Sequence, residues 1–317
     1  MENERDSGGP ALGTALQPAV RRIVTDALAR GAGATLPTNA EYLAAHGFGA
    51  GTIQRALNLL RERGALTITS HGHRGRSVGA IDVGQAWQAA GLAPVRLLLP
   101  PSGPAEIDVL EQAMAEGLTD LGIPHTVHHR GGGAGRLRSV TGGEHDVALV
   151  SGGVGLPVRV VGPARVLGPG TYYAPGRLVV VRRAAALDRT PVRIAIDSGS
   201  PDHVALTRAE FPPDSGVTYR ETPFPSVPAA VLRDEVDAGI WHIQRSVIPL
   251  DLAGLATRQP RSAASLTAWQ HLSSAVLVGW SGRPELTAVL GALPLDDVAP
   301  AQLAAVAAEE AAGERDS

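Results

Sequence analysis

Between Val95 and Trp241 the chain runs twice through one plan of short apolar strands alternating with helices, and that repetition leaves few folds open. In the first pass Val95 to Leu99 reads as a strand, Glu106 to Leu121 as a helix, His125 to His129 as a strand and Asp146 to Val150 as a third strand. The second pass has strands at Val192 to Ile196 and Val217 to Arg220, helices at His203 to Phe211 and Ser226 to Asp234, and closes on Val236 to Trp241. Two similar α/β lobes are predicted, about 95–175 and about 190–275. The Pro/Gly-rich stretch from Gly152 to Gly176, with strand-like Arg159 to Val161 and Leu178 to Val181, supplies the crossover and hinge. A last strand, Ala275 to Val278, and helices to about 308 complete this region, and 309–317 reads as an acidic tail.

The segment before the lobes follows a different plan. Ile53, Ala56, Leu57 and Leu60 stand at i, i+3, i+4 and i+7, so a helix from Thr52 to Arg63 docks one face and displays Thr52, Gln54, Arg55, Asn58 and Arg61. Ahead of it, Thr38-Asn39-Ala40-Glu41 is a capping-box pattern opening a short helix to His46, and Gly47 stops that helix. Two helices separated by a short glycine turn have the spacing of a helix-turn-helix. Past Gly64, Leu66 and Ile68 alternate with Thr67 and Thr69, and a basic, glycine-rich tip, His71 to Arg76, leads back through Ser77-Val78. That is a two-stranded wing. Pro18 suits the first turn of a preceding helix to Arg30, and residues 1–13 are polar, Gly-rich and expected to be disordered.

Leu36-Pro37-Thr38-Asn39, Leu43-Ala44, Gly47, Thr52 to Leu57 and Leu60 to Leu66 resemble the winged helix of GntR-type bacterial regulators. Over residues 15 to 300 the chain resembles the YhfZ family, whose members join such a winged helix to a domain like a type 2 periplasmic binding protein. The resemblance implies an α/β protein with an N-terminal winged helix-turn-helix (14–80), a linker (81–94, with Trp87) and a two-lobed effector domain (95–308). One position departs from the pattern. GntR proteins usually carry Ser-Arg at the start of the recognition helix, where this chain has Gly49-Ala50. Glycine still caps, at a cost of a few tenths of a kcal/mol, and the DNA sequence preferred should differ.

Charge is divided along the chain. Residues 14–79 hold eight Arg against three acids, a formal +5, while the remaining 20 Arg and 28 acids leave −8. A basic head suits phosphate and an acidic body does not. Double-stranded DNA is therefore the expected partner, bound as a homodimer on two half-sites. Arg55 and Gln54 are the candidates for base edges, since Arg pairs bidentately with guanine and Gln with adenine. Thr38, Thr52, Asn58, Arg74 and Arg76 are the candidates for phosphate contact. The chain has no cysteine, hence no disulfide, thiolate metal site or cysteine nucleophile. With no apolar run of about 18 residues and a start that lacks the regions of a signal peptide, a cytoplasmic location away from membranes is expected.

In open α/β sheets ligands bind beyond the carboxyl ends of strands, where helix N-termini offer N–H groups to anions. Two Ser/Gly turns fall there: Ser102-Gly103 after the first strand of lobe one, and Ser198 and Ser200 after that of lobe two. Ser151, Trp241 and His242 follow the closing strands, and the resemblance puts Thr171 and Tyr172 in the hinge. A small-molecule effector, a carboxylate or phosphate, is expected on Ser102, Gly103, Ser151, Thr171, Tyr172, Ser198, Ser200 and Trp241, with Arg177 and Arg245 as further possibilities.

Other signals carry less. Gly131 to Arg136 matches neither G-x-G-x-x-G nor the P-loop and reads as a flexible loop. His128 and His129 are adjacent and point to opposite faces of a strand, so the histidines at 125, 128, 129 and 145 make a poor metal site. No G-x-S-x-G elbow or other catalytic constellation is present, and no cofactor, metal or enzymatic activity is expected. The leading reading is a ligand-responsive transcription regulator. The alternatives are a solute-binding protein, or a cytoplasmic small-molecule-binding protein or enzyme whose winged helix does not bind DNA.

Overall fold

The computed structural model describes residues 15–71, 75–159, 162–244 and 250–315. The chain divides into one unit made of Met1–Pro94, Leu118–Pro124 and Arg283–Ala292, and a second made of Val95–Gly117, His125–Gly282 and Leu293–Ser317.

In the first unit, helix α1 (Leu16–Arg30) buries Val20, Ile23, Val24, Ala27 and Leu28. Strand β1 (Thr35–Leu36) leads into α2 (Asn39–His46), which opens on the predicted capping box. Glu41 N–H donates to Thr38 Oγ1 at 3.2 Å, and Thr38 N–H donates to Glu41 Oε2 at 2.6 Å. Gly47 ends α2 at φ 71°, a left-handed conformation that glycine adopts without a Cβ clash. After the turn comes α3 (Ala50–Glu62), whose buried face is Thr52, Ile53, Ala56, Leu57 and Leu60. Thr52 therefore belongs to the inward stripe, which is one residue wider than the spacing predicts.

Strands β2 (Leu66–Ser70) and β3 (Arg76–Ile81) form the antiparallel wing, and β1 pairs on the outer side of β3. The tip at 72–74, with the candidate Arg74, lies outside the described residues, as does the stretch 1–13 expected to be disordered. Helix α4 (Val83–Ala90) occupies the expected linker, capped by Asp82, which accepts from Gln85 N–H at 2.9 Å. Trp87 is 1% exposed and lies under the Arg283 guanidinium, 5.0 Å from its ring centroid, so it is a packing residue of this unit. Gly84 is required there, because a Cβ would stand 2.1 Å from Leu121 O.

The second unit holds two lobes. Lobe one is built from β4 (Val95–Leu99), α5 (Ala105–Asp120), β5 (His125–His129), α6 (Gly133–Thr141), β6 (Val147–Ser151), α7 (Gly152–Gly155) and β7 (Ala164–Val166). Then the chain crosses to β8 (Leu178–Arg183), β9 (Arg193–Ile196), α8 (Pro201–Glu210), β10 (Thr218–Glu221), α9 (Val227–Leu232), β11 (Ala238–His242) and β12 (Leu255–Arg258). After α10 (Ala263–Leu272) it returns as β13 (Ala275–Gly279), passes through α11 (Leu286–Ala292), which belongs to the first unit, and ends in α12 (Val298–Arg315). The sheets have orders β5-β4-β6-β13-β7 and β10-β9-β11-β8-β12. In each, three parallel strands are followed by an antiparallel strand supplied from across the chain.

This exchange moves the predicted lobe borders. β8 pairs antiparallel with β11, so lobe two starts near Leu178, and β13 pairs with β6, so it belongs to lobe one. The strand expected at Arg159 to Val161 is not formed at Arg159, which lies in a turn; 160 and 161 are outside the described residues, and β7 comes later. Helix α12 runs through 309–315, where the sequence reads as a tail. Among the described residues no helix is long and apolar enough to cross a membrane.

The duplication is written in one ion pair per lobe. Asp146, just before β6, accepts from Arg96 N–H, Nε and Nη2 at 2.8, 3.0 and 3.0 Å. Asp237, just before β11, accepts from Arg193 N–H, Nε and Nη2 at 2.8, 3.1 and 2.6 Å. Each clamp ties the first of a lobe's three parallel strands to the third. The Asp146 side chain is 1% exposed and the Asp237 side chain 27%. Removing a buried partner strands its donors, so Asp146→Ala should cost about 3 kcal/mol in urea unfolding, and Asp237→Ala, whose ion pair stays wet, distinctly less.

Candidate functional site

Two surfaces carry chemistry. The first is the outward face of α3, where Gln54, Arg55 and Arg61 are exposed and Asn58 is half-buried. Gln54 Nε2 donates to Asn58 Oδ1 at 3.1 Å, and Arg61 Nη2 donates to the same oxygen. The three form one polar row along the helix, which adds Arg61 to the residues expected from sequence. Its i+3 spacing from Asn58 is the signal that points to it. At the wing, Arg76 Nη1 donates to Asn39 Oδ1 at 2.9 Å, and a depression of about 280 Å³ lies between Thr38, Asn39, Ser70 and Arg76.

Thr38 itself is fully engaged as a cap. Its hydroxyl donates to Glu41 Oε2 at 2.9 Å, so a carboxylate already sits at the start of α2. Thr52, at 8% exposure, is turned into the core rather than toward a phosphate.

The second surface is a cavity of about 410 Å³ between the lobes. Ser102, Tyr172, Ser200 and Trp241 line it as the sequence predicts, together with His242. Gly103, Ser151, Thr171 and Ser198 do not. Thr171 Oγ1 donates to Gly168 O at 2.6 Å and accepts from Ala275 N–H at 2.9 Å, which makes it a clip at the crossover. Ser151 is 1% exposed at the end of β6. Arg177 is buried against Glu309 at 2.6 Å, away from the wall, and Arg245 lies outside the described residues.

The Ser/Gly turns leave one amide, that of Ser102, without a hydrogen-bond partner among the described residues. In lobe one, Pro100 and Pro101 have no N–H, and Gly103 N–H donates to Asp108 Oδ1 at 3.1 Å. In lobe two, Asp197 N–H donates to His203 Nδ1 at 2.9 Å, Ser198 N–H to Glu221 Oε1 at 2.9 Å, Gly199 N–H to Asp197 Oδ1 at 3.0 Å and Ser200 N–H to Asp197 O at 3.0 Å. The turn satisfies itself with carboxylates. His203, fully buried, organises it: Nδ1 accepts from Asp197 and Nε2 donates to Ile240 O at 3.0 Å. Burial pushes its pKa down, which keeps the ring neutral in this tautomer.

More free donors come from the glycine run. Gly131, Gly132 and Gly133 line the cavity where α6 begins, and their N–H groups and that of Ala134 have no hydrogen-bond partner among the described residues. Gly132 sits at φ 76°, which favours glycine. Within the same helix Arg136 is 1% exposed and lines the cavity. Its Nε donates to Leu149 O at 2.8 Å, Nη1 to Arg130 O at 2.7 Å and Nη2 to Tyr172 Oη at 2.7 Å. All three acceptors are neutral. The nearby Asp202 accepts from Tyr173 Oη at 2.9 Å, and burial pushes its carboxyl pKa up.

Beside the cavity, Glu106 joins both lobes and the crossover. Its Oε1 accepts from Ala174 N–H at 3.1 Å and pairs with His242 Nε2 at 2.8 Å. Burial raises the Glu106 pKa, but the hydrogen bond and charge of His242 and the Ala174 amide outweigh it and hold the group below its ordinary value. Gln302 of α12 donates to Glu106 O and Thr171 O, both at 2.8 Å, and fastens α12 at the crossover.

A winged helix-turn-helix followed by two lobes of matched strand order around a cavity defines a DNA-binding domain joined to a type 2 periplasmic-binding-like domain. The chain belongs to the YhfZ family: residues 82–311 match the YhfZ C-terminal domain, and residues 31–78 match a Helix-turn-helix domain. The crystal structure of YhfZ from Shigella flexneri is similar at TM-score 0.54 and 20% identity, over 72% of this chain and 96% of that one. Weaker likenesses include the alkanesulfonate-binding protein SsuA from Xanthomonas axonopodis pv. citri bound to MOPS, at TM-score 0.44 and 18% identity over 64% and 72% of the two chains. A mutant of OxyR from Corynebacterium glutamicum gives 0.45 and 15% over 97% of each. No curated protein sequence matches the chain. Helix-turn-helix domain and family together point to a DNA-binding regulator.

Proposed function

We propose that the chain is a ligand-responsive, non-enzymatic transcription regulator of the cytoplasm. It binds double-stranded DNA as a homodimer and takes a small carboxylate or phosphate effector in the interlobe cavity. The observation that carries the DNA half is the outward row Gln54, Asn58 and Arg61, with Arg55 beside it, on an α3 whose other face is buried. A helix held that way presents its polar side chains to a major groove while its docked side fixes their direction. Effector binding then acts by favouring one lobe closure over another, and only an effector with different affinities for the two can shift the balance.

The base-contact assignment has a direct test. Arg55→Ala should cost about 1 to 3 kcal/mol in operator affinity and relax sequence preference at one base pair, while Arg76→Ala should weaken all sequences alike and flatten the salt slope. Competition titrations against single-base operator variants read both. An Arg55→Ala protein with wild-type affinity and preference refutes the assignment.

A further inference from the structure

The effector class can be narrowed, on the reading that the interlobe cavity is the ligand site. The wall holds one cation and one acid that take part in no ion pair among the described residues: Arg136 from lobe one and Asp197 from lobe two. A guanidinium at 1% exposure with only neutral acceptors is a charge taken from water without an ion-pair partner among the described residues; the nearby Asp202 feels its charge, but burial pushes that carboxyl pKa up, and the guanidinium uses three of its five N–H groups. The four unpartnered amides at the start of α6 stand in the same helix one turn ahead of it. An anionic group completes that corner.

Asp197 differs. Its Oδ1 accepts from Gly199 N–H at 3.0 Å and its Oδ2 from Phe224 N–H at 2.8 Å, which leaves further lone pairs on a carboxylate at the cavity wall. The remaining titratable group of lobe two on the wall, His242, is already paired with Glu106. An anion alone would therefore leave Asp197 facing like charge. Pro104, Ile107, Phe224, Pro225 and Trp241 give the wall an apolar part, beside the uncharged polar Ser102, Ser200 and Gln244.

We infer that the cavity takes a small zwitterion with an apolar body, an amino acid of the leucine or phenylalanine type. Its carboxylate docks on the amides of Gly131 to Ala134 and on Arg136, its ammonium faces Asp197, and its side chain packs against Phe224 and Trp241. A cavity of about 410 Å³ suits a molecule of that size.

The test is isothermal titration calorimetry of the full-length protein with L-leucine and L-phenylalanine, with their deamino counterparts 4-methylpentanoate and 3-phenylpropanoate, and with inorganic phosphate. At least one amino acid should bind about tenfold or more tighter than its deamino acid, because losing the ammonium leaves Asp197 unpaired. Asp197→Asn should shrink that ratio toward one. If a deamino acid or phosphate binds as tightly as the amino acids, the cavity is a plain anion site; the zwitterion is overturned and the regulator reading stands. Should none bind, tryptophan emission is followed while a small-molecule extract of the source cells is added, with Trp241→Phe as control. A Trp241-dependent change overturns the zwitterion alone, and no change overturns the ligand site with it.

Discussion

Arg136→Leu is expected to lower stability by about 3 kcal/mol and to weaken an anionic effector about a hundredfold or more. Three acceptors lose their donor at once: Leu149 O, Arg130 O and Tyr172 Oη. Each orphaned buried acceptor costs about 1 kcal/mol or somewhat more, and relief of an uncompensated buried charge returns part of that sum. The effect on binding has a separate origin. The guanidinium lies in the cavity wall behind the free amides of α6, so its removal takes away the charge but leaves the amides in place. Chemical unfolding and calorimetry separate the two. Wild-type affinity in a folded Arg136→Leu protein would show that the α6 corner is not the anion site.

Glu106→Ala should be the more destabilising change, by about 3 to 5 kcal/mol. The side chain is fully buried and ties lobe one, lobe two and the crossover through His242 and Ala174 N–H. Its Oε2 has no hydrogen-bond partner and lies 3.9 Å from Arg177 Nε, so Arg177 would keep Glu309 alone as its counter-charge. The pH dependence has a fixed sign. Because the folded pKa is below the ordinary value of 4.5, the contribution is fully present above that value and is lost as pH falls through the lower folded one. Urea midpoints taken from neutral pH into that acid range should therefore drop more steeply for wild type than for Glu106→Gln. Parallel curves would mean the buried carboxylate is not coupled to folding.

Local chemistry was readable in the sequence and long-range pairing was not. The capping box at Thr38 and Glu41, the stop at Gly47 and the α3 stripe depend on residues within one or two turns of each other, and each is present. The doubled lobe plan was visible too, because a Val-Arg pair stands at the start of β4 and across the start of β9, and β6 and β11 follow an Asp. The partners of β8 and β13 stand far along the chain, so periodicity carries no trace of the exchange that sets the lobe borders. Helix α6 was missed because it opens on glycines and buries Arg136 and Ser139 beside Val140, which hides its apolar stripe. The same run supplies the free amides. Ser151, Thr171 and Ser198 had suitable side chains at suitable places, but Thr171 Oγ1 and Ser198 N–H are used inside the protein and the Ser151 hydroxyl is buried off the cavity wall. Sequence spacing does not reveal which polar groups are already bonded.

The central claim is that the winged helix reads DNA. Fluorescence anisotropy of the purified protein, titrated against a fragment from upstream of its own gene and against an unrelated fragment over a series of salt concentrations, tests it most directly. Tight binding to the first fragment is expected, with much weaker binding to the second and a steep loss of affinity with salt as Arg side chains release counterions from phosphate. Failure to bind either fragment at low salt would contradict it.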